Sequence, residues 1–283
     1  SSMLRAFILS FTVDGWTVIL LGNVMSKNER KPRMKVAALY DIHGNLPALK
    51  AVLNEVDHEG VDVIVIGGDI VPGPMSRDVL EILLRLDDRV RWIRGNCERE
   101  VVEAFDGGSF SSITSKEVRA ATMWTAMQFE RRHRDFMAAL PEKIALHVEG
   151  QGEVLFCHGS PRSDMEILTE ATPEERLRDT LEGVNEDVVV CGHTHMQFDR
   201  MCSGKRVVNA GSVGMPYGDP GAYWLLLGPD VRLRKTNYDL EGAAELVRTT
   251  EYPLAQDFAD NNILKPETAQ EAIKYFEKMS TKD

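Results

Sequence analysis

From Lys35 onward the chain alternates short apolar runs with segments whose apolar residues recur at helical spacing. Lys35–Tyr40 is almost wholly apolar, as expected of a strand buried on both faces. Pro47–His58 carries Leu49, Val52, Leu53 and Val56 on one helical face, and Gly60 stops it. Val61–Ile66 reads as a second buried strand, Arg77–Leu86 as a helix and Val90–Ile93 as a third strand. This β-α-β-α-β order predicts parallel strands joined by helical crossovers. Ligands of such sheets gather at the carboxyl ends of the strands.

Residues 98–140 interrupt the alternation. Ser115–Leu140 predicts a long helix or a helix pair with a charged break at Glu130–Arg134, closed by Pro141, either a flap over a site or a structural layer. Glu153–Cys157 resumes the strands. Thr172-Pro173-Glu174-Glu175 has the form of a capping box with proline at the first helical position, predicting a helix over Pro173–Glu182. Asp187–Cys191 is the next strand. Gln197–Met201, Arg206–Asn209, Ala222–Leu227 and Val231–Tyr238 then follow closely, with tight turns expected at Ser203-Gly204 and Pro229-Asp230, which predicts an antiparallel, meander-like end. Lys265–Met279, starting at Pro266, reads as a terminal amphipathic helix that packs through Ile273 and Phe276. Two packed sheets with helices outside accommodate both halves.

Residues 1–33 differ in kind. Ser1-Ser2 has the look of an expression remnant, and Leu4 to Val24 is too interrupted by Asp14, Gly15 and Gly22 to span a bilayer. Asp14-Gly15 between Phe7–Val13 and Trp16–Leu21 reads equally well as a hairpin turn or as part of an extension ahead of a domain starting at Met34. Lys27–Arg33 reads as a linker, so the expected division is an extension at 1–33 and one domain at 34–283.

Composition changes this picture little: 43% of the 283 residues are apolar and 27% charged, as in ordinary globular chains. Charge changes it more. A net charge of −11 disfavours long nucleic acids, so a phosphorylated substrate must be captured locally. The four cysteines, Cys97, Cys157, Cys191 and Cys202, form no CxxC pair, which predicts reduced thiols in a cytoplasmic protein. No membrane partner is expected, and a homo-oligomer is left open.

Candidate chemistry sits at the strand ends. Asp41-Ile42-His43, Gly68-Asp69, Gly95-Asn96, Cys157-His158-Gly159 and Gly192-His193-Thr194-His195 each follow an apolar run. Asp-x-His and His-x-His place two ligands at i and i+2, which point the same way in an extended segment. A Gly-Asp pair offers a carboxylate able to bridge two ions, beside a residue whose backbone can approach closely. The set is too large for one closed tetrahedral site and suits two metals. Asp41, His43 and His195 are assigned to one ion, Asn96, His158 and His193 to the other, with Asp69 between. Any one motif alone is usually a turn or an ordinary histidine; five in order are not.

These blocks resemble the calcineurin-like metallophosphoesterase superfamily, whose ordered motifs are D-x-H, GD, GNH-[ED], H and GHxH. The likeness runs from about Met34 to about Tyr238. Asp41 to Leu49, His158-Gly159-Ser160-Pro161-Arg162, Cys191 to His195 and Asn209 to Gly214 look like its compact bacterial and archaeal branch of predicted phosphoesterases, related to diadenosine tetraphosphatase. The resemblance implies an α/β fold, a four-layer αββα sandwich of two mixed sheets flanked by helices. It also implies two divalent ions, with Mn²⁺ first and Fe, Zn or Ni as alternatives, and in-line attack by a hydroxide held between them. It makes Asp69 and Asn96 part of the catalytic centre and Arg94 a candidate phosphate clamp.

One block departs from the pattern. Gly95-Asn96 is followed by Cys97 where the superfamily has histidine, the group often assigned to protonate the leaving oxygen. A thiol is a poor acid for a reluctant alkoxide, so leaving groups that need little protonation are expected. Hydrolysis of a phosphodiester in a small substrate, nucleotides included, is the first reading. A dinucleoside polyphosphate pyrophosphatase or phosphoprotein phosphatase is the alternative, and a non-catalytic scaffold with this fold is the rival of another class.

Overall fold

The computed structural model describes residues 7–13, 16–22, 34–108 and 115–280, the first two ranges by backbone alone. The chain divides into two units, Ser1–Arg33 and Met34–Asp283. In the first, β1 (Phe7–Val13) and β2 (Trp16–Gly22) pair antiparallel with Val13 opposite Trp16. The Asp14-Gly15 turn and the expected linker at 27–33 lie outside the described residues.

The second unit runs β3 (Val36–Leu39), α1 (Leu46–Glu59), β4 (Val63–Ile66), α2 (Ser76–Leu84), β5 (Val90–Trp92), α3 (Asn96–Phe105), α4 (Lys116–Met127), α5 (Arg131–Ala138), β6 (Lys143–Val148), β7 (Gly152–Cys157), α6 (Glu174–Thr180), β8 (Val188–Cys191), β9 (Phe198–Cys202), β10 (Lys205–Asn209), β11 (Ala222–Leu227), β12 (Val231–Thr236), α7 (Leu240–Arg248), α8 (Ala255–Phe258) and α9 (Ala269–Ser280). The strands form two five-stranded mixed sheets, ordered β12-β11-β3-β4-β5 and β6-β7-β8-β10-β9. In each, three central or adjoining strands are parallel: β3, β4 and β5 in one, β7, β8 and β10 in the other.

Two-sided burial follows from residue alternation. Val36, Ala38 and Tyr40 face a core shared with Val154, Phe156, Val188 and Val190 of the opposite sheet, whereas Ala37 and Leu39 face a core shared with Leu49, Val52 and Val56 of α1. The far face of the second sheet, Leu155, Val189 and Val207, packs on Leu177 and Leu181. The order is therefore helix, sheet, sheet, helix, the α/β sandwich expected.

Local chemistry sets the boundaries. Asn45 Oδ1 caps α1 by accepting from Ala48 N at 3.2 Å, and Gly60 ends it with φ 62°. Ser203 and Gly204, with φ 51° and 79°, make the two-residue turn between β9 and β10. Several expectations need correction. The last four strands are not one meander, because β9 and β10 join the second sheet while β11 and β12 join the first. Thr172 does not cap α6: its hydroxyl accepts from Thr169 N at 2.8 Å and donates to Glu277 at 3.1 Å, and Pro173 precedes the helix instead of opening it. The charged run Glu130–Arg134 is not a break but the start of α5, where Glu130 N donates to His133 Nδ1 at 3.0 Å. Strand β6, whose residues alternate between exposed and half-buried, and helices α7 and α8 gave no expectation at all. Val101, Ala126, Phe129 and Met137 are buried in the core beneath β3 and β4, so α3, α4 and α5 form an outer layer.

Tyr40 joins the sheets. It is fully buried, and its hydroxyl donates to Val190 O of β8 at 3.2 Å. Its ring packs against two backbones: a Cβ on Gly67 would stand 2.1 Å from the ring and one on Gly192 would stand 2.4 Å from it. Glycine is required at both places by space. Gly192→Ala is therefore expected to lower the melting temperature more than Tyr40→Phe. The first overpacks a closed gap at about 1–3 kcal/mol or more, and the second removes one hydrogen bond worth about 1 kcal/mol. Thermal denaturation of the two variants checks the order.

Candidate metal centre

The carboxyl ends of β3, β4, β7 and β8 and the start of α3 converge on one cluster. Asp41, His43 and His195 bring one ligand atom each within 4.8 Å of one another, as do Asp69, His158 and His193, and as do His43, Asp69 and Cys97. Asp69 Oδ2 lies 3.3 Å from His158 Nε2 and 3.8 Å from His43 Nε2, between the two groups. His43 Nε2 and His195 Nε2 are 3.2 Å apart. Asp41 Oδ1 is 3.5 Å from His195 Nε2 and 3.9 Å from His158 Nε2, while Asp41 Oδ2 accepts from His193 N at 3.0 Å.

The backbone here is not the extended one expected. Among the described residues, six non-glycine residues have positive φ, and five are Asp41 (52°), His43 (45°), Asp69 (53°), His193 (66°) and His195 (60°). Left-handed backbone at carboxylate and imidazole residues is uncommon and persists only where neighbours impose it. The neighbours do so through hydrogen bonds that run on past the strand ends. Asp41 N donates to Gly68 O, His43 N to Asp69 O and Gly44 N to Ile70 O, at 3.1, 3.0 and 2.8 Å. Gly214 N and the Ser212 hydroxyl hold Asp41 O at 3.0 and 2.7 Å.

Three imidazoles are oriented in the same way. Nδ1 of His43, His158 and His195 faces the carbonyls of Pro72, Gly67 and Met215 at 3.3, 2.9 and 2.7 Å. A carbonyl accepts only, so each Nδ1 carries the proton and Nε2 is the atom turned to the cluster.

The donor set fits divalent ions. Asp41 Oδ1, Asn96 Oδ1 and His158 Nε2 are buried without a hydrogen-bond partner, a costly state unless another group satisfies them. Asp41 is 0% exposed, His158 1% and Asn96 7%. Imidazole and carboxylate atoms in two separate triads, linked where His43 approaches Asp69, are what two such ions need.

Charge is shared unevenly. Burial pushes His43 and His193 down to about 4, with His195 and His158 respectively adding to the effect. Burial also acts against a charged His158, but the Asp69 carboxylate beside it prevails and raises it to about 10. Burial likewise opposes a charged Asp69, yet His158 holds it well below the usual carboxylate range. Burial, then Asp69, push the Cys97 thiol up, so it stays protonated.

Cys97 and Asn96 open α3. Cys97 N donates to Asp69 Oδ1 at 3.0 Å and Cys97 Sγ donates to Asp69 Oδ2 at 3.1 Å, placing the positive end of the helix on the carboxylate. Asn96 Nδ2 donates to Cys97 Sγ at 3.3 Å, which leaves its Oδ1 free for the cluster. Arg94, just ahead of Gly95, donates through Nη2 to Glu142 at 2.8 Å and through its backbone N to Pro141 O at 2.7 Å.

Four supporting residues were not singled out from sequence. Glu98, fully buried, accepts from Gly95 N, Asp69 N and Ile70 N at 2.8, 2.9 and 2.7 Å, tying the Gly-Asp loop to α3. Burial, then Asp69, push its carboxyl up to about 7. Its place three residues after the helix-opening Gly95 is the acidic position of a capping box, a signal that could have found it. Asn209 Nδ2 donates to Gly192 O and Thr194 Oγ1 at 2.7 and 3.1 Å, and Ser212 holds Asp41 as described. Asn209, Thr194 and Ser212 lie within the blocks that carry the family resemblance, but nothing local in those blocks announces their supporting roles.

A sequence model of the calcineurin-like phosphoesterase superfamily domain matches residues 34–228, and the chain belongs to that superfamily. The uncharacterized protein MJ0912 of Methanocaldococcus jannaschii is 26% identical over 240 residues, covering 77% of this chain and 93% of that protein. The hypothetical protein PH1004 of Pyrococcus horikoshii shares the fold at a TM-score of 0.69 and 21% identity, over 83% of this chain and all of that one. A metallophosphoesterase from Sphaerobacter thermophilus has a TM-score of 0.63 and 25% identity, over 80% of this chain and 98% of that one. Among the described residues no helix is long and apolar enough to cross a membrane.

As a ligand, His158 would first have to lose its Nε2 proton, which Asp69 makes it keep up to about 10 in the metal-free protein. The protein's affinity for Mn²⁺ is thus expected to rise about tenfold per unit over roughly pH 7 to 9, as the competing proton leaves. Chelator-competition titrations across that range check it; a flat profile would remove His158 from the ligand set.

Proposed function

We propose that this chain is a phosphohydrolase dependent on two divalent metal ions, and that phosphodiesters in small substrates are its preferred class. The observation that carries the reading is a pair of triads, Asp41-His43-His195 and Asp69-His158-His193, linked where His43 approaches Asp69, with unpartnered atoms on Asp41, Asn96 and His158. Asp41, His43 and His195 would hold one ion, Asn96, His158 and His193 the other, and Asp69 would bridge. Ions so held would supply Lewis acidity to the phosphoryl oxygens and lower the pKa of water. Imidazole, amide and carboxylate donors favour Mn²⁺ here, with Fe, Zn or Ni as the alternatives.

The chain's own groups do the rest. Cys97 N, at the start of α3, keeps Asp69 aimed. Glu98 fixes the loop that carries Asp69, so the bridge does not shift as charge moves during phosphoryl transfer. Proton donation to the leaving oxygen is where this chain is weak. The Cys97 thiol is already committed to Asp69 and is held protonated, which supports substrates whose leaving groups need little protonation: aryl or nucleotide diesters first, phosphoanhydrides second. Arg94 would serve as phosphate clamp through the guanidinium donors that its Nη2 bond to Glu142 leaves unused. The four unpaired thiols support a cytoplasmic setting.

The test is a panel of phosphomonoesters, diesters and anhydrides assayed with Mn²⁺ on wild type and Asp69→Asn. Diester hydrolysis is expected to lead, and Asp69→Asn to lose at least about 100-fold, since even an outer partner of a metal ligand is worth roughly 10–100-fold. A metal-loaded protein inert to all three classes would favour the scaffold reading. A second expectation concerns the acid: Cys97→His should raise hydrolysis of alkyl phosphate esters by about tenfold or more, given the roughly 10²–10⁴ worth of a placed proton donor. Unchanged steady-state rates on alkyl esters would sink that account of Cys97.

A further inference from the structure

The ligands of the centre are not equally covered. The side chains of Asp41 and His158 are 0% exposed, Asp69 3% and His43 7%, but His195 is 12% exposed, and His193 is also only half-buried. The centre therefore opens on the side of the Gly192 to His195 loop. On that side stands Tyr217, half-buried, its ring centroid 5.9 Å from that of His195 and tilted by only 32°. This is the spacing of offset stacking.

Tyr217 is held there from both ends. Two residues earlier, Met215 O accepts from His195 Nδ1 at 2.7 Å. One residue later, Gly218 N donates to Glu267 O at 2.8 Å, just ahead of α9. From α9 itself, Phe276 meets the Tyr217 ring edge-on at 5.9 Å, and the 58% exposed Tyr275 meets Phe276 at 5.7 Å. Helix α9 is anchored beside the centre in turn, because Glu277 accepts from the hydroxyls of Thr169 and Thr172 at 2.6 and 3.1 Å.

We propose that Tyr217 is a specificity-determining residue of this site, an aromatic shelf beside His195 on which a planar group of the substrate, a nucleobase, stacks while its phosphate occupies the metal centre. The proposal rests on the phosphohydrolase reading and narrows its substrate class to nucleotides. Phe276 backs the shelf, and Tyr275 extends it outward to solvent. Stacking on an aromatic face is tolerant of base identity, so the selection is for nucleotides as a class over sugar phosphates.

Calorimetric titration of the Mn²⁺-loaded protein with adenosine 5′-monophosphate, ribose 5-phosphate and inorganic phosphate tests it. In wild type the nucleotide is expected to bind about tenfold tighter than ribose 5-phosphate, the ratio that ~1.4 kcal/mol of stacking gives. Tyr217→Leu should erase that ratio by weakening the nucleotide alone, and Tyr217→Phe should restore it. Equal wild-type affinities for nucleotide and ribose 5-phosphate would overturn the shelf and leave the phosphohydrolase reading standing. Failure of all three to bind would instead overturn the phosphohydrolase reading and the shelf with it. Equal weakening of both ligands by Tyr217→Leu would assign the ring a merely structural role and overturn the proposal. Should that variant not fold, the wild-type ratio still decides.

Discussion

The site depends on backbone hydrogen bonds that continue beyond the ends of the strands. Inside the sheets those bonds are ordinary ladder; past Leu39 and Ile66 they hold two loops side by side with Asp41, His43 and Asp69 in left-handed conformation. Such backbone costs of order 1–3 kcal/mol per residue and is stable only where its surroundings leave no alternative. The parallel strands β3 and β4 supply that constraint, because their register fixes which carbonyl each loop amide meets. The second sheet repeats the device, where Gly192 N donates to His158 O at 2.8 Å.

Once the loops are fixed, charge organises the remainder. Asp41 and Asp69 are buried together among four imidazoles, and no arrangement of neutral groups would tolerate them. The imidazoles take different protonation states, His158 holding a proton against Asp69 while burial keeps His43 and His193 neutral. Apart from the Nε2 proton that His158 holds against Asp69, the side chains are oriented by their Nδ1–carbonyl bonds before any ion arrives.

Much of this was legible in sequence, for a physical reason. Strands buried on both faces are written as apolar runs, so β3, β4, β7 and β8 stood out, and ligand side chains at their carboxyl ends stood out with them. What sequence hid was non-local. Whether β9 and β10 share a sheet with β11 and β12 is decided by which core each face meets, and nothing within those strands records it. Strand β6 is half-exposed at a sheet edge and lacks the apolar run. The i, i+2 argument brought Asp41 to His43, and His193 to His195, for the wrong reason, since the loops are left-handed and not extended. Tyr217 lies 22 residues beyond His195 and meets it only because the chain returns past Met215.

Tyr40 has a consequence of another kind. Its ring packs against Gly67, two residues before Asp69 at the end of one sheet, and against Gly192, just before His193 at the end of the other. Its hydroxyl meanwhile reaches Val190 O of the second sheet. One rigid side chain thus touches the backbone on which both halves of the centre are carried. Sheets that slid against each other there would have to displace it.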